Sequence, residues 1–325
     1  MPSHRVGLWM YQNSGGTEIE KKIITQLNDR NIAVIAGLDL RNGTANNGNI
    51  FCNGHMMDEL DLFFSYNAGQ QSHYQMYMYQ ALSSMIPTIN SFSAFELTED
   101  KFRTAHLLKR HGIPTSDYIV CNKDNIQQLK EHLHFWQGKA ICKPVNGWGG
   151  KGIIKIESER DLDLICSYIT DHSSPQFYIE RVIDNDFSDY RIDIVDNKFV
   201  ACYGRKAAKG SWKTNVSSGG SVIVREPNPA VVELALRAAR ATGLEIAGVD
   251  IIYDLEHQQY VVLEVNGIPA FATPEQERNG LDFNDKKIGF LADLIERTVT
   301  NSPLTEITNT ITTDNAVKEK DYDHL

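Results

Sequence analysis

The sequence predicts an α/β and α+β fold in which a Rossmann-like N-terminal βαβ domain precedes a larger, β-rich unit. The chain has 325 residues, 42% of them hydrophobic, which suffices for a sizeable core and for more than one domain. Strand-like and helix-like patterns alternate over the first hundred residues, as in a layered βαβ arrangement. Beyond about residue 93, several short β-rich segments follow one another instead.

The N-terminal elements follow from the spacing of apolar residues. Ile19, Ile23 and Leu27 recur at helical spacing, whereas continuous apolar runs indicate buried strands. The predicted strands lie at residues 6–10, 32–40, 60–65 and 86–89, and the predicted helices at 18–31 and 72–84. Residues 41–54 are rich in Asn and Gly, which predicts a polar loop.

The second part of the chain alternates helices with a larger number of strands. Helices are predicted at residues 98–111, 125–134, 229–242 and 286–299. Strands are predicted at residues 119–120, 140–145, 152–156, 176–183, 191–195, 199–203, 221–224, 247–253 and 259–265. We therefore expect an N-terminal domain at 1–92, a lobe with a glycine-rich loop at 93–178, a C-terminal lobe at 179–300 and a polar tail at 301–325.

The charge balance and the cysteines exclude several functional classes. There are 32 Lys and Arg against 42 Asp and Glu, a formal charge of −10, which argues against a general nucleic-acid-binding protein. Neither a membrane-spanning apolar stretch nor the apolar core of a signal peptide is recognisable, and we expect a cytoplasmic protein. The five cysteines contain no Cys-x-x-Cys pair, so a disulfide framework or a zinc site is not expected.

A glycine cluster, Gly147, Gly149, Gly150 and Gly152, lies between two strand-like segments and beside Lys143 and Lys151. A dinucleotide fingerprint requires a helix after the glycines, and here a strand follows. The pattern is typical of a hairpin tip whose backbone N–H groups bind phosphate, although a plain hairpin turn has the same pattern.

Three oxygen-bearing side chains are predicted to converge on neighbouring strands. Glu264 and Asn266 share one face of their strand, and Asp250 lies opposite if the flanking strands form a hairpin. Such a set suits Mg²⁺ or Mn²⁺, which prefer oxygen ligands. The alternative is that the acids lie on the solvent face.

A local run of positive charge follows, with Arg191 and Arg205 as its first members. The remaining members are Lys206, Lys209 and Lys213, with Asn215 and a Ser-Gly stretch at 217–220 after them. This run indicates an anionic ligand, or else a solvated loop.

Taken in order, these residues resemble the ATP-grasp superfamily, specifically its RimK-like branch of carboxylate–amine ligases. The matching segments span residues 86–297, from Asn90-Ser91 through Lys143-Pro144, Glu180 to Ile183 and Gly248-Val-Asp250 to Leu263-Glu-Val-Asn266. The first 85 residues match only in their βαβ style. The resemblance implies an ATP-grasp fold with an ATP site between two α+β lobes.

The resemblance also implies roles for individual residues. Lys101 and Lys143 would contact the nucleotide phosphates, and the loop containing Gly147, Gly149, Gly150 and Gly152 would cover them. Glu180, Arg181, Val182 and Ile183 would form the hinge that reads adenine, with Asp189 as a polar contact. Two Mg²⁺ ions, or Mn²⁺, would bind Asp250, Glu264 and Asn266. Arg191, Arg205 and Asn215 would act on the transferring phosphoryl group and the substrate carboxylate.

The activity implied is ATP- and Mg²⁺-dependent amide formation through an acyl phosphate, with release of ADP and phosphate. The substrates would be a small-molecule carboxylate and an amine, such as glutamate added to a small molecule or a peptide. Relatives also imply a homodimer or a homotetramer. Two alternatives are a non-catalytic nucleotide-binding sensor or assembly protein, and a small-molecule kinase that stops at phosphoryl transfer.

One segment departs from the family pattern. Gly267-Ile-Pro-Ala-Phe271 follows Asn266, where many RimK-like ligases have Ser or His next. We expect this segment and the loop 41–54 to face the acceptor substrate. Phe271 belongs either to an apolar wall of that site or to the core.

Overall fold

The computed structural model describes residues 2–67, 69–147, 149–170, 176–216 and 219–301. Of the predicted polar tail at 301–325, only Asn301 is within these ranges, and it ends the last helix. Trp148 of the glycine cluster and Ser217-Ser218 also lie outside the described residues.

The described residues up to Thr98 form seven strands and three α-helices. In chain order they are β1 (His4–Met10), α1 (Gly16–Asp29), β2 (Ile32–Ala36), β3 (Thr44–Asn46), β4 (Asn49–Cys52), β5 (His55–Met56), β6 (Leu62–Tyr66), α2 (His73–Ser83), β7 (Thr88–Ile89) and α3 (Phe92–Thr98). The remaining elements are α4 (Lys101–Arg110), β8 (Tyr118–Asn122), α5 (Ile126–Phe135), β9 (Ala140–Lys143), β10 (Ile154–Ile156), α6 (Glu159–Thr170), β11 (Gln176–Arg181), β12 (Ser188–Val195), β13 (Lys198–Lys206), β14 (Ser221–Val224), α7 (Pro229–Thr242), β15 (Ile246–Asp254), β16 (Gln259–Asn266), α8 (Pro274–Arg278) and α9 (Asn284–Asn301).

The N-terminal strands form a parallel sheet in the order β2-β1-β6-β7. Helix α1 turns its apolar stripe, Ile19, Ile23 and Leu27, into the core beneath this sheet. The loop expected at 41–54 instead contains most of a small antiparallel sheet, β3-β4-β5. Ile50 and Cys52 of this sheet are buried, and these two side chains among many polar ones explain why composition alone indicated a loop.

The rest of the chain forms two antiparallel sheets. The first has the order β10-β9-β11-β8, and the second has the order β14-β13-β12-β15-β16. Side chains alternate along the strands of the second sheet, so Ile192, Val249 and Ile251 pack against α7 in one apolar cluster. The opposite face carries the polar residues of the candidate site.

The parallel sheet is joined to the five-stranded sheet through buried contacts. Asn90, after β7, donates from Nδ2 to the carbonyls of Ile246 (3.1 Å) and Gly267 (2.6 Å) and accepts from the Ile246 N–H (2.7 Å). Helix α9 packs against α1 and shares its core cluster. No helix within the described ranges combines the length and the apolar character needed to cross a membrane.

Candidate active site

A cavity of about 460 Å³ lies between the two antiparallel sheets. Its lining includes Lys101, Lys143, Glu180, Arg205, Asp250 and Glu264, together with Gly147, Gly149, Gly150 and Asn215. A larger cleft of about 780 Å³, lined by Lys109, His132 and Phe135 among others, contains none of the predicted site residues. The chemistry is therefore concentrated in the smaller cavity.

Strand register explains how the second sheet assembles its polar face. Residues directly opposite each other point to the same side of a sheet, as do residues two apart on one strand. Arg191 of β12 is paired with Asp250 of β15, and Asp250 is paired with Glu264 of β16. Two residues away on each strand, Gly248 lies opposite Asn266. The three side chains predicted as metal ligands, Asp250, Glu264 and Asn266, therefore share one face of the sheet.

Asp250 is buried between two guanidinium groups. Its oxygens lie 2.8 Å from Arg191 Nη1 and 2.5 Å from Arg205 Nη2. Burial raises the pKa of Asp250, while the two arginines oppose that shift. Among the described residues, Oδ1 of Asp250 makes no hydrogen bond despite its ion-pair contact, which leaves a buried oxygen able to accept another cation.

Arg205 also binds Asp189, which is fully buried at the start of β12. The guanidinium donates to Oδ2 of Asp189 at 2.8 Å, and the Arg205 N–H donates to Oδ1 at 2.9 Å. Thr214 donates its hydroxyl to the same carboxylate at 2.7 Å. Asp189 therefore fixes Arg205 and the segment that leads to Asn215.

Glu264 is paired with Lys101, the first residue of α4. Lys101 Nζ lies 3.0 Å from Oε1 of Glu264 and donates to the Gly147 carbonyl at 2.8 Å. Burial acts to raise the pKa of Glu264, but the ammonium of Lys101 and the more distant Arg191 outweigh it and lower that pKa. Lys101 thereby connects the acidic strand to the glycine loop.

Lys143 forms a second buried cluster at the end of β9, in the four-stranded antiparallel sheet that lines the cavity. Its Nζ lies 2.6 Å from Oε2 of Glu180, and Tyr178 donates its hydroxyl to Oε1 at 2.6 Å. Tyr178 and Glu180 share a face because they are two apart on β11, and Tyr178 is paired with Lys143 of β9. Tyr178 was not predicted as a site residue, and its alternation with Glu180 is the sequence signal that could have indicated it.

The segment Arg181 to Ile183 follows Glu180 and lines the cavity. The N–H groups of Arg181 and Val182 donate to the carbonyls of Asp117 and Lys139, both at 2.9 Å. The Arg181 guanidinium turns to the β15–β16 turn, where it contacts Asp254 (2.9 Å) and Glu256 (3.0 Å). A base bound at this hinge would therefore use other backbone groups of the segment.

The glycine cluster is the tip of the β9–β10 hairpin, as the sequence predicts. Gly149, Gly150 and Gly152 have φ values of +66°, +72° and +73°, which favour glycine. A Cβ on Gly150 would lie 2.8 Å from Oδ1 of Asn215, and Lys213 donates to the Gly150 carbonyl at 3.3 Å. The segment that carries Asn215 thus meets the glycine loop at the edge of the cavity.

Two further features were not recognised in the sequence. Glu99 lies next to the Lys101–Glu264 pair, and burial raises its pKa to about 7, although Lys101 opposes the shift. Lys287 is fully buried against Asp193, far away in the chain, and no local pattern indicates that pair. Phe271 is 5% exposed and packs on Tyr66. Of the two positions expected for Phe271, the structure shows the one in the core.

A cavity between two antiparallel sheets, with lysines, a glycine-rich hairpin and an acidic strand pair around it, defines a ligase of the ATP-grasp class. Residues 98–290 match the RimK-like ATP-grasp domain, and the chain belongs to this family. Enzymes of this class use ATP to join a carboxylate to an amine, and the chain is an ATP-dependent carboxylate–amine ligase.

Named relatives and solved structures agree with this assignment. The chain is 30% identical over 264 residues to the tetrahydromethanopterin:alpha-L-glutamate ligase of Methanocaldococcus jannaschii, covering 78% of this chain and 83% of the relative. It is 27% identical over 241 residues to the alpha-aminoadipate–LysW ligase LysX of Saccharolobus solfataricus, covering 71% and 83%. The fold is similar to that of the D-Ala:D-Ser ligase VanG of Enterococcus faecalis, with a TM-score of 0.68, 15% identity and coverage of 91% and 99%. It is also similar to the ATP-grasp ligase PsnB complexed with a minimal precursor, with a TM-score of 0.64, 17% identity and coverage of 92% and 100%.

Proposed function

We propose that the enzyme forms an amide bond between a carboxylate and an amino acid such as glutamate, through an acyl phosphate, and releases ADP and phosphate. The observation that carries this proposal is the convergence in one cavity of Lys101, Lys143 and Arg205 with Asp250 and Glu264. Arg191 lies next to this set, in contact with Asp250. Relatives named as glutamate and aminoadipate ligases support an amino acid as one substrate.

The charges of the cavity suit phosphoryl transfer to a carboxylate. Because a carboxylate has a poor leaving group, it becomes reactive only when the γ-phosphoryl group of ATP is attached to one of its oxygens. Lys101 and Lys143 would bind the nucleotide phosphates, while Arg191 and Arg205 would bind the substrate carboxylate and the transferring group. The amine then attacks the carbonyl carbon, phosphate leaves, and an amide remains.

The glycine loop and Asn215 would protect the reactive intermediate. Gly150 and Asn215 already lie in contact, and Lys213 holds the loop carbonyl. A closed edge excludes water that would hydrolyse the acyl phosphate. The hinge residues Glu180, Arg181, Val182 and Ile183, with Asp189 beyond them, would hold the nucleoside end.

Asp250, Glu264 and Asn266 would hold Mg²⁺, either two ions or Mn²⁺ in their place. Their oxygen-only donor set and the buried Asp250 oxygen without a hydrogen bond fit a hard divalent cation. Bound there, the metal would neutralise charge on the β- and γ-phosphates. The assembly, a homodimer or a homotetramer, is a further part of the proposal, which light scattering after size-exclusion chromatography tests.

The test is a substrate screen with isotope-labelled oxygen. The enzyme, ATP, Mg²⁺, L-glutamate and pools of carboxylates are incubated, and ADP, phosphate and new amides are measured by mass spectrometry. One ¹⁸O atom from the labelled carboxylate should appear in phosphate, since the acyl phosphate transfers it. AMP and pyrophosphate as products would contradict the mechanism.

Variants assign the outcome to the site. Glu264→Gln should abolish turnover, while Glu233→Gln, on the exposed face of α7, should leave it unchanged. ATP binding without ADP release across the screen would instead indicate a non-catalytic nucleotide-binding protein. A stable phosphorylated product without an amide would indicate a small-molecule kinase.

A further inference from the structure

Lys287 of α9 is an ammonium group completely enclosed by protein. Its side chain and that of Asp193 are both 0% exposed. Nζ donates to Oδ2 of Asp193 at 2.9 Å and to the carbonyls of Pro269 at 2.8 Å and Ala270 at 3.0 Å. An ammonium has three donors, so every one of them is used on an identified acceptor.

Two of the residues that supply these acceptors, Asp193 and Pro269, lie close to Arg191 or to its partner Gly248. Asp193 is two residues from Arg191 on β12 and therefore shares its face. Pro269 packs over Gly248, where a Cβ would lie 2.7 Å from the Pro269 Cβ and 3.0 Å from Arg191 Nη1. Arg191 Nη1 donates to the Gly248 carbonyl at 3.3 Å and contacts Asp250 at 2.8 Å. Lys287 thus holds Asp193 and Pro269, the residues that pack next to the Arg191 guanidinium and its partner Gly248.

Stability alone is a poor reason for this pair. Removing two charges from water costs much of the free energy that their attraction provides. A protein with apolar residues of similar volume in their place is often as stable. The surroundings of Lys287 would accept an apolar side chain. The ring centroid of Phe271 lies 4.6 Å from Nζ, and those of Tyr66 and Phe283 both lie 5.8 Å from it. The feature that an apolar pair would lack is the fixed direction of the Pro269 and Ala270 carbonyls.

We infer that Lys287, through Asp193, Pro269 and Ala270, is a positioning residue for Arg191 and for the segment that continues from Asn266. The inference rests on the proposed function, because there Arg191 binds the substrate carboxylate. Lys287 itself touches no substrate. Its loss would misplace Arg191 while the nucleotide side of the cavity, around Lys143 and Glu180, stays intact.

The experiment separates positioning from stability with an apolar exchange of both partners. Lys287→Met alone leaves Asp193 unpaired and should lower the Tm, whereas Lys287→Met with Asp193→Leu should restore it to within about 3 °C of wild type. Lys286→Met is the matched control, since Lys286 is the exposed neighbour that lies over the Phe199 and Phe290 rings. Tyr66→Phe is a second, uncharged probe, because the Tyr66 hydroxyl donates to the same Pro269 carbonyl at 2.6 Å.

In the double variant, the KM for the carboxylate substrate should rise at least about tenfold, because Arg191 loses its fixed direction. The Kd for ATP, measured by calorimetry, should stay within about twofold of wild type. Hydrogen exchange of the amides at 267–272 should be at least about tenfold faster, since the segment opens locally. Tyr66→Phe should change exchange and KM in the same direction but less, and the control should change neither.

Two results would overturn the inference. Wild-type exchange at 267–272 in the double variant means that Lys287 holds nothing in place, and this holds whether or not the enzyme turns over. Faster exchange with an unchanged KM means that Lys287 stabilises the segment but does not position Arg191. If the wild-type enzyme forms no ADP with any carboxylate, the proposed function is refuted instead. The exchange data still show whether Lys287 holds the segment at 267–272 in place.

Discussion

Replacing Arg205 by Met should strongly destabilise the protein, because two buried carboxylates depend on its guanidinium. Asp189 is 0% exposed and receives the guanidinium at 2.8 Å, while Asp250 is 4% exposed and receives it at 2.5 Å. Arg191 would remain near Asp250, but Asp189 would keep only neutral donors such as the Thr214 hydroxyl. The substitution preserves most of the apolar stem and removes the charge.

The expected loss in the free energy of unfolding is about 3–5 kcal/mol, the range for breaking a buried pair from one side. Arg240→Met is the matched control, since the Arg240–Glu233 pair is 3.4 Å long with side chains 50% and 62% exposed. An exposed pair contributes less than about 1 kcal/mol, so the two variants should differ severalfold.

Urea unfolding followed by tryptophan fluorescence, in EDTA at pH 8 and again at pH 5.5, measures both losses. In the Arg205 variant only Arg191 still opposes the effect of burial, so the pKa of Asp250 is raised further than in the native protein, where burial already raises it. Native acids with raised pKa values bind protons more tightly than unfolded ones, so the penalty grows as pH rises and should be smaller at pH 5.5. Equal losses for Arg205→Met and Arg240→Met, or a penalty that grows on acidification, would refute the reasoning.

Two further predictions concern Asn90, at the junction of two sheets, and Glu99, next to the Lys101–Glu264 pair. Asn90→Ala should lower the free energy of unfolding by about 2–4 kcal/mol, since it removes three buried hydrogen bonds, and urea titration checks this. A loss equal to that of Asn28→Ala, at an exposed position of α1, would contradict it. Burial raises the pKa of Glu99 from 4.5 to about 7, so the native state holds that proton more tightly and stability falls as pH rises through this window. Glu99→Gln should remove that fall between pH 5 and 8, and an unchanged pH profile of Tm would show that Glu99 is not its source.

The parts of the site that follow from local periodicity could be predicted from the sequence. Two apolar strands around the polar turn at 254–258 set the register that places Asp250 opposite Glu264. The glycine hairpin was recognisable because a β-branched strand, rather than a helix, follows Gly152. In both cases, neighbours in the chain determine which side chains share a face.

The parts that depend on distant neighbours could not be predicted. Lys287 reads as one of two adjacent lysines in a helix, and only packing shows that it faces Asp193, 94 residues away. Arg181 has an unremarkable strand position, yet its guanidinium is taken by Asp254 of another sheet. Which of several distant charged groups a side chain contacts depends on the tertiary structure. Strand alternation and residue spacing do not determine that contact.

The pairing of Glu264 and Asp250 with cations has a consequence for the order of binding in the proposed function. Glu264 is held by Lys101, and Asp250 by Arg191 and Arg205. At the proposed metal site, a divalent ion arriving alone would have to displace these ammonium and guanidinium groups and leave them without counter-ions, which would make its own binding weak. A triphosphate arriving with the ion would supply new anions for the displaced cations, so the local charge would stay nearly constant. In the proposed function, metal and nucleotide would therefore bind together as one electrically balanced unit.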